Sequence, residues 1–229
     1  RRVLFRSGAV QALGLLGRAH AALGELAASR SALAECRRRA NQMRGRPLAA
    51  FARLVAAGGA VQVGEPDVAL EHLAATDPGY GERAMIGSVD LRVTRGLATL
   101  QRGEVAAALA MLEELESDAA AQGTYLDSTL AMCLVAADRL DEAESHAGRV
   151  LADGRATYLD RRTAMLATAF AAVRRRVPVE AAERFGRATA AVDATESRTS
   201  QAIVRLAEAV GYEVLGHPDA RARAAAARD

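Results

Sequence analysis

The chain has no lysine: all 30 of its basic residues are arginine. That absence removes whole classes of chemistry. A phosphate-binding loop ending in Gly-Lys-Ser/Thr, the nucleotide lysine of a kinase and a Schiff-base lysine all require a primary amine at a fixed place. Cysteine is scarce as well, and Cys36 and Cys133 stand far apart in separate apolar stretches. Neither has the paired spacing of a metal knuckle or a redox site. Both are expected as reduced, buried thiols, which fits a cytoplasmic protein. Long apolar runs are missing too, because Arg, Glu, Asp or Gly interrupts each one before the roughly eighteen residues that a membrane helix needs. A soluble protein without a membrane span is expected. No G-x-S-x-G, H-E-x-x-H or G-x-G-x-x-G occurs. Together these absences point away from an enzyme, and no cofactor or metal is expected.

Charge is nearly balanced, at +2 from 30 basic and 28 acidic residues. Setting aside Arg1, Arg2 and Arg6 takes the 30 basic residues to 27 against 28 acidic ones. No basic footprint for nucleic acid remains, so direct nucleic-acid binding is not expected. There is reason to set those arginines aside. Back-translated as AGA CGT GTG CTC TTC CGA TCT, the opening "RRVLFRS" looks like the end of a short-read sequencing adapter. Residues 1–7 are therefore expected to be a non-native scar, excluded from fold reasoning. Residues 8–229 are expected to be a fragment truncated at both ends, so that the missing N-terminus leaves export undecided. The triplets Arg37-Arg38-Arg39 and Arg174-Arg175-Arg176 are expected at solvated helix C-termini, where cations are favoured. Alanine makes up roughly a quarter of the chain, well above ordinary usage. With arginine in place of lysine, this looks like a GC-rich bacterial genome.

What the sequence does have is a repeat. Helix-length segments with 3.6-residue periodicity alternate with short turns carrying Gly, Pro or Asp. In "TYLDSTLAMCLVAADRLDEAESHAGRVLADG" one helix puts Leu126, Leu130, Cys133 and Leu134 on a face. The next puts Leu140, Ala143, Ala147 and Val150 on another. The connecting turn is short enough to predict an antiparallel hairpin. The second-helix pattern recurs as Ser29/Leu33/Cys36, Ala69/Leu73/Thr76, Ala108/Leu112/Leu115 and Ala181/Phe185/Ala188. Ser29, Ala69, Ala108, Ala143, Ala181 and Arg221 open these patterns about every 35 to 40 positions, a helical-solenoid period. A small residue lets the second helix approach the first, and larger residues four and seven later fill the gap. Glycine before the turn is expected to end the first helix in a left-handed conformation. Pro66, Pro178 and Pro218 are expected in first helical turns, where no amide hydrogen is needed.

At "RLDEAESHAGRVL" and "EAAERFGRA" the chain resembles the tetratricopeptide repeat family. "LLGRAH", "RGLAT", "LAMCL" and Tyr212 supply patchier first-helix matches. The repeats exceed the family's usual length, tryptophan is absent, and Arg221 occupies a small-residue position. The resemblance implies an all-α fold, a right-handed α-solenoid of about six antiparallel helix hairpins with first helices lining a concave side. It also implies a groove for a protein or peptide partner. Placing the family's groove face on this sequence gives Asp90, Val93 and Leu97, then Tyr125, Ser128 and Met132, then Thr163, Leu166 and Phe170. The lysine and asparagine clamp by which some relatives hold a peptide's terminal carboxylate is missing.

Two functional readings follow. The first is a non-catalytic interaction scaffold. The second, suggested by the longer, irregular repeats, is a sensor or regulatory arm of a larger bacterial signalling ATPase, cyclase-linked regulator or transcriptional activator. His20, His72, His146 and His217 fall in different hairpins and are expected as helix-surface or inter-helix residues. Asp141, Glu142, Glu144 and His146 crowd one helix start, where carboxylates complement the helix dipole without a proton-transfer role.

Overall fold

The computed structural model describes residues 2–42, 46–75, 88–117 and 123–226, and among these the protein is all-helical, with no strand. The chain divides into two compact units, Arg1–Met111 and Leu112–Asp229. The first holds α1 (Arg2–Ala22), α2 (Leu26–Gln42), α3 (Arg46–Gln62), α4 (Pro66–Ala74) and α5 (Ser88–Gln101). The division falls inside α6 (Val105–Glu116). The second unit continues with α7 (Thr124–Ala136), α8 (Leu140–Ala152), α9 (Tyr158–Arg174), α10 (Pro178–Asp193), α11 (Arg198–Leu215) and α12 (Ala220–Ala226).

α1 begins at Arg2, so residues 2–7 continue a helical backbone where a non-native scar is expected. Extending an existing helix by a turn costs little compared with nucleating one, and Val3 to Ser7 contain no Gly or Pro to stop it. Arg1 lies outside the described residues.

One turn is repeated through the chain. Six residues hold a left-handed backbone: Gly24, Gly64, Gly103, Asp138, Arg176 and Gly216. Around each, the same two hydrogen bonds close the preceding helix. Gly64 N–H donates to Val61 O at 3.2 Å and Glu65 N–H to Ala60 O at 2.9 Å. Arg176 N–H likewise donates to Val173 O at 3.0 Å and Val177 N–H to Ala172 O at 3.1 Å. These bonds satisfy carbonyls that the helix end would otherwise leave unpaired. Four of the six positions carry glycine, which lacks the Cβ that penalises this conformation; Asp138 and Arg176 adopt it regardless.

The residues after each turn bury as the repeat predicts. Ser29 and Cys36, Ala69 and Leu73, Ala108, Leu112 and Leu115, Ala143, Ala147 and Val150, and Ala181, Phe185 and Ala188 are all buried. Leu33 is half-buried. It nests between two glycines: a Cβ added at Gly17 or Gly59 would stand 2.6 or 2.7 Å from its side chain. Thr76 lies outside the described residues. The last repeat differs by one position, since Arg221 is exposed and Ala220 is buried in its place. There α12 starts at Ala220 and Pro218 sits in the turn before it, whereas Pro66 and Pro178 begin their helices as expected.

In the first unit α1 packs on α2 and α3, α2 on α3, and both α3 and α4 on α5. Ala57, Ala60, Val61, Leu73 and Ala98 form one apolar cluster there. In the second, α9 packs on α7, α8, α10 and α11. Phe185 is fully buried at its centre, with Phe170 and Tyr212 presented edge to face at 5.5 and 6.4 Å. Gly211 makes room for it, as a Cβ at that position would stand 2.6 Å from the Phe185 ring.

Polar contacts repeat too. Within the first unit Arg30 pairs with Glu65, and Gln101 Nε2 donates to Val61 O at 3.0 Å. Within the second, Thr124 Oγ1 donates to Asp160 Oδ2, Arg162 Nη1 to Ser200 Oγ, and Arg175 Nη2 to Asp141 Oδ1. Their partners lie 34 to 40 residues apart, one repeat along the sequence.

Candidate functional site

The nine residues of the expected groove fall into three rows when counted back from the left-handed turns. Asp90, Tyr125 and Thr163 make the first row, Val93, Ser128 and Leu166 the second, and Leu97, Met132 and Phe170 the third. In the first unit, Asp90 is exposed on α5, Val93 is buried, and Leu97 is half-buried against the cluster around Leu73. In the second unit, Tyr125 and Thr163 are half-buried, and Thr163 Oγ1 donates back to Leu159 O at 2.9 Å. Ser128 and Leu166 are buried, on helices whose following first helix packs against them. Met132 and Phe170 are half-buried and lie against the core around Phe185. Val93, Ser128 and Leu166 thus belong to the interior, and solvent reaches only the outer rows. A helix face wide enough to pack on a neighbour cannot also be wholly open, and sequence spacing alone does not say where that neighbour lands.

The acidic helix start that the sequence singles out separates into distinct ion pairs. Asp141 and Glu144 both bind Arg175, and Glu144 also pairs with Arg184. Glu142 binds Arg139. His146 turns the other way and is buried between helices. Its Nδ1 lies 2.8 Å from Asp127 Oδ1, to which Arg149 Nη2 also donates at 2.7 Å, while its Nε2 lies 3.4 Å from Glu116 Oε1. Burial alone would raise the Asp127 pKa, but the hydrogen bonds from His146 and Arg149 outweigh it and hold the group below its ordinary 3.8. No family model, curated protein or solved structure matches this chain.

Two further polar features escape sequence reasoning. Arg162, on α9, donates to Ser200 Oγ at 2.9 Å while its Nε is buried without a hydrogen-bond partner. Burial lowers its pKa. A hollow in the first unit is lined by Leu26, Leu33, Ala56, Val63, Arg37 and His72. Burial and then the Arg37 charge push the His72 pKa down. No sequence signal links these residues, because each contact joins different helices at a phase that only packing sets. Cys133 is buried, and burial followed by the Glu113 charge pushes its thiol up to about 12, so it stays protonated and inert. Among the described residues no group of three His, Cys, Asp or Glu could hold a metal ion, and no helix is long and apolar enough to cross a membrane.

Proposed function

We propose that this chain is a non-catalytic, tetratricopeptide-like scaffold: antiparallel helix hairpins stacked as a solenoid, holding a protein or peptide segment against their first helices. The observation that carries the reading is the left-handed turn recurring at Gly24, Gly64, Gly103, Asp138, Arg176 and Gly216 with the same pair of hydrogen bonds. Side-chain bonds one repeat apart support stacking of each hairpin on the next. Such an array presents an extended surface made of equivalent positions rather than a pocket with convergent reactive groups. The pairing of Asp127 with Arg149 and of Glu144 with Arg184, with His146 hydrogen-bonded beside Asp127, fits a structural role better than proton transfer. In the second unit Tyr125 and Thr163 offer an amphipathic row on successive first helices, suited to an extended peptide with alternating apolar and polar side chains.

The test uses those two residues, since neither belongs to the core. Peptides selected on the immobilised chain from a random display library would be measured by calorimetry against wild type, Tyr125→Ala and Thr163→Arg. Affinity is expected to fall at least about tenfold, or about 1.4 kcal/mol, with the thermal melt unchanged. Equal affinity for all three proteins would remove this row from the site.

A further inference from the structure

The first unit is hollow where the second is bridged by charge. Counted from their left-handed turns, α2, α3 and α4 stand to Gly24 and Gly64 as α8, α9 and α10 stand to Asp138 and Arg176. Between α8 and α10 the Glu144 carboxylate lies 2.8 Å from Arg175 Nη1 and 2.5 Å from Arg184 Nη1. Arg184 also donates to Thr168 O at 2.7 Å and pairs with Glu180. Long charged side chains thus close the gap across α9. In the first unit the same register places Arg30 where Glu144 stands, Val63 for Arg175, His72 for Arg184, Val68 for Glu180 and Ala56 for Thr168. Arg30 turns to Glu65, and a hollow of about 90 Å³ remains, walled by Leu26, Leu33, Ala56, Val63 and Val68.

The charge of this hollow is unbalanced. In the second unit Glu144 and Glu180 offset Arg175 and Arg184; in the first, Arg30, Arg37 and His72 line the space with a single carboxylate, Glu65, which Arg30 takes. Arg37 is exposed at the rim and makes no ion pair among the described residues. Burial first and the Arg37 charge next push the His72 pKa down, with Arg53 acting in the same direction and Glu71 against it. We propose that the hollow binds a small carboxylic acid with a short branched aliphatic chain, the chain against Leu33, Val63 and Val68 and the carboxylate beside Arg37 and His72. The ligand would supply the anion that Glu144 supplies beside Arg184. An apolar cavity of about 150 Å³ holds benzene, so a smaller one suits roughly four carbons, with the carboxylate at the rim taking a charge-assisted bond from Arg37. The proposal rests on the repeat register and not on the peptide row of Tyr125 and Thr163, which lies in the second unit.

Titration of the whole chain with 3-methylbutanoate, followed by amide and methyl NMR, tests it. Shifts are expected at Leu33, Val63 and Val68 and on the His72 ring, saturating in the millimolar range. Acetate, which lacks the chain, and 3-methylbutanamide, which lacks the charge, should each bind at least about tenfold more weakly. Arg37→Gln, at an exposed position, should weaken the acid by about tenfold and leave the amide unchanged. Arg30→Glu combined with His72→Arg rebuilds the Glu144–Arg184 pair inside the hollow and should abolish binding, with helicity by circular dichroism unchanged. If that double variant loses helicity, Arg37→Gln decides alone. Shifts that never saturate, shifts confined to arginines outside the hollow, or equal affinity for acid and amide would overturn the proposal. Peptide binding at Tyr125 and Thr163 would be untouched by any of these results.

Discussion

Single residues decide how the repeat is closed. At Asp138 and Arg176 a side chain occupies a backbone region costing roughly 1–2 kcal/mol for residues other than glycine. Asp138→Gly removes that cost and loses an exposed ion pair with Arg174 worth about 0–1 kcal/mol. The variant is therefore expected to be more stable by up to about 1 kcal/mol, read as a higher urea midpoint at unchanged slope. The reverse change, Gly64→Ala, forces a Cβ onto a φ of +73° and should cost about 1–2 kcal/mol. A neutral outcome for both would mean that these turns tolerate any residue and do not fix the repeat. Thiol chemistry is also decided at this scale. Burial raises the pKa of Cys36, whose Sγ lies 3.2 Å from Val10 O, and that of Cys133 to about 12. Neither thiol should react with iodoacetamide until the chain is unfolded in denaturant. Rapid native alkylation at pH 8 would place a cysteine on the surface.

At the scale of helices, the packing around Phe185 and the polar contact between α7 and α8 give opposite lessons about what a sequence reveals. Phe185 follows Ala181 by four residues, so its burial was readable from the repeat, and Phe185→Ala should cost about 3–5 kcal/mol. Gly211 was not readable as its partner. Only the structure brings α11 close enough for Gly211→Ala to drive a methyl into the Phe185 ring, at a cost of about 1–3 kcal/mol. Combined with Phe185→Leu the loss should be less than additive, because the smaller side chain makes room; strict additivity would deny the contact. Most of the buried positions after the turns were legible for the same reason as Phe185, since each depends on spacing within one helix; the left-handed backbone at Asp138 and Arg176, which carry no glycine, and the one-residue shift from Arg221 to Ala220 were not. Burial of Val93, Ser128 and Leu166, and the pairing of His146 with Asp127, depend on where a second helix lands. That placement gives Asp127 a measurable pH signature. Its folded pKa lies below 3.8 because His146 and Arg149 overcome the effect of burial. The carboxylate therefore contributes stability above about pH 4, lost as pH falls through the folded value. Asp127→Asn should cost about 1–3 kcal/mol at pH 7, with the difference from wild type narrowing at pH 3. A gap that stays constant with pH would show that the carboxylate's charge plays no part.

For the whole molecule, helices contact their sequence neighbours: α9 touches α7, α8, α10 and α11, while α1 touches α2 and α3. When contacts are this local, stability approximates a sum of repeat and nearest-neighbour contributions instead of one indivisible quantity. A lesion should then weaken its own surroundings most. Phe185 touches α9 through Phe170 and α11 through Tyr212 and Gly211, so Phe185→Ala removes packing from three helices at once. Amide hydrogen exchange followed by mass spectrometry reads the consequence helix by helix, because protection reports the free energy of the smallest opening that exposes each amide. Protection in α9, α10 and α11 should fall by two to three orders of magnitude, the equivalent of the roughly 3–5 kcal/mol lost, after allowing for openings that never reached the full value. Peptides from α1 and α2 should change by less than tenfold. A uniform fall along the chain would instead mean that the two units open together in one cooperative step, and that nearest-neighbour packing does not govern stability here.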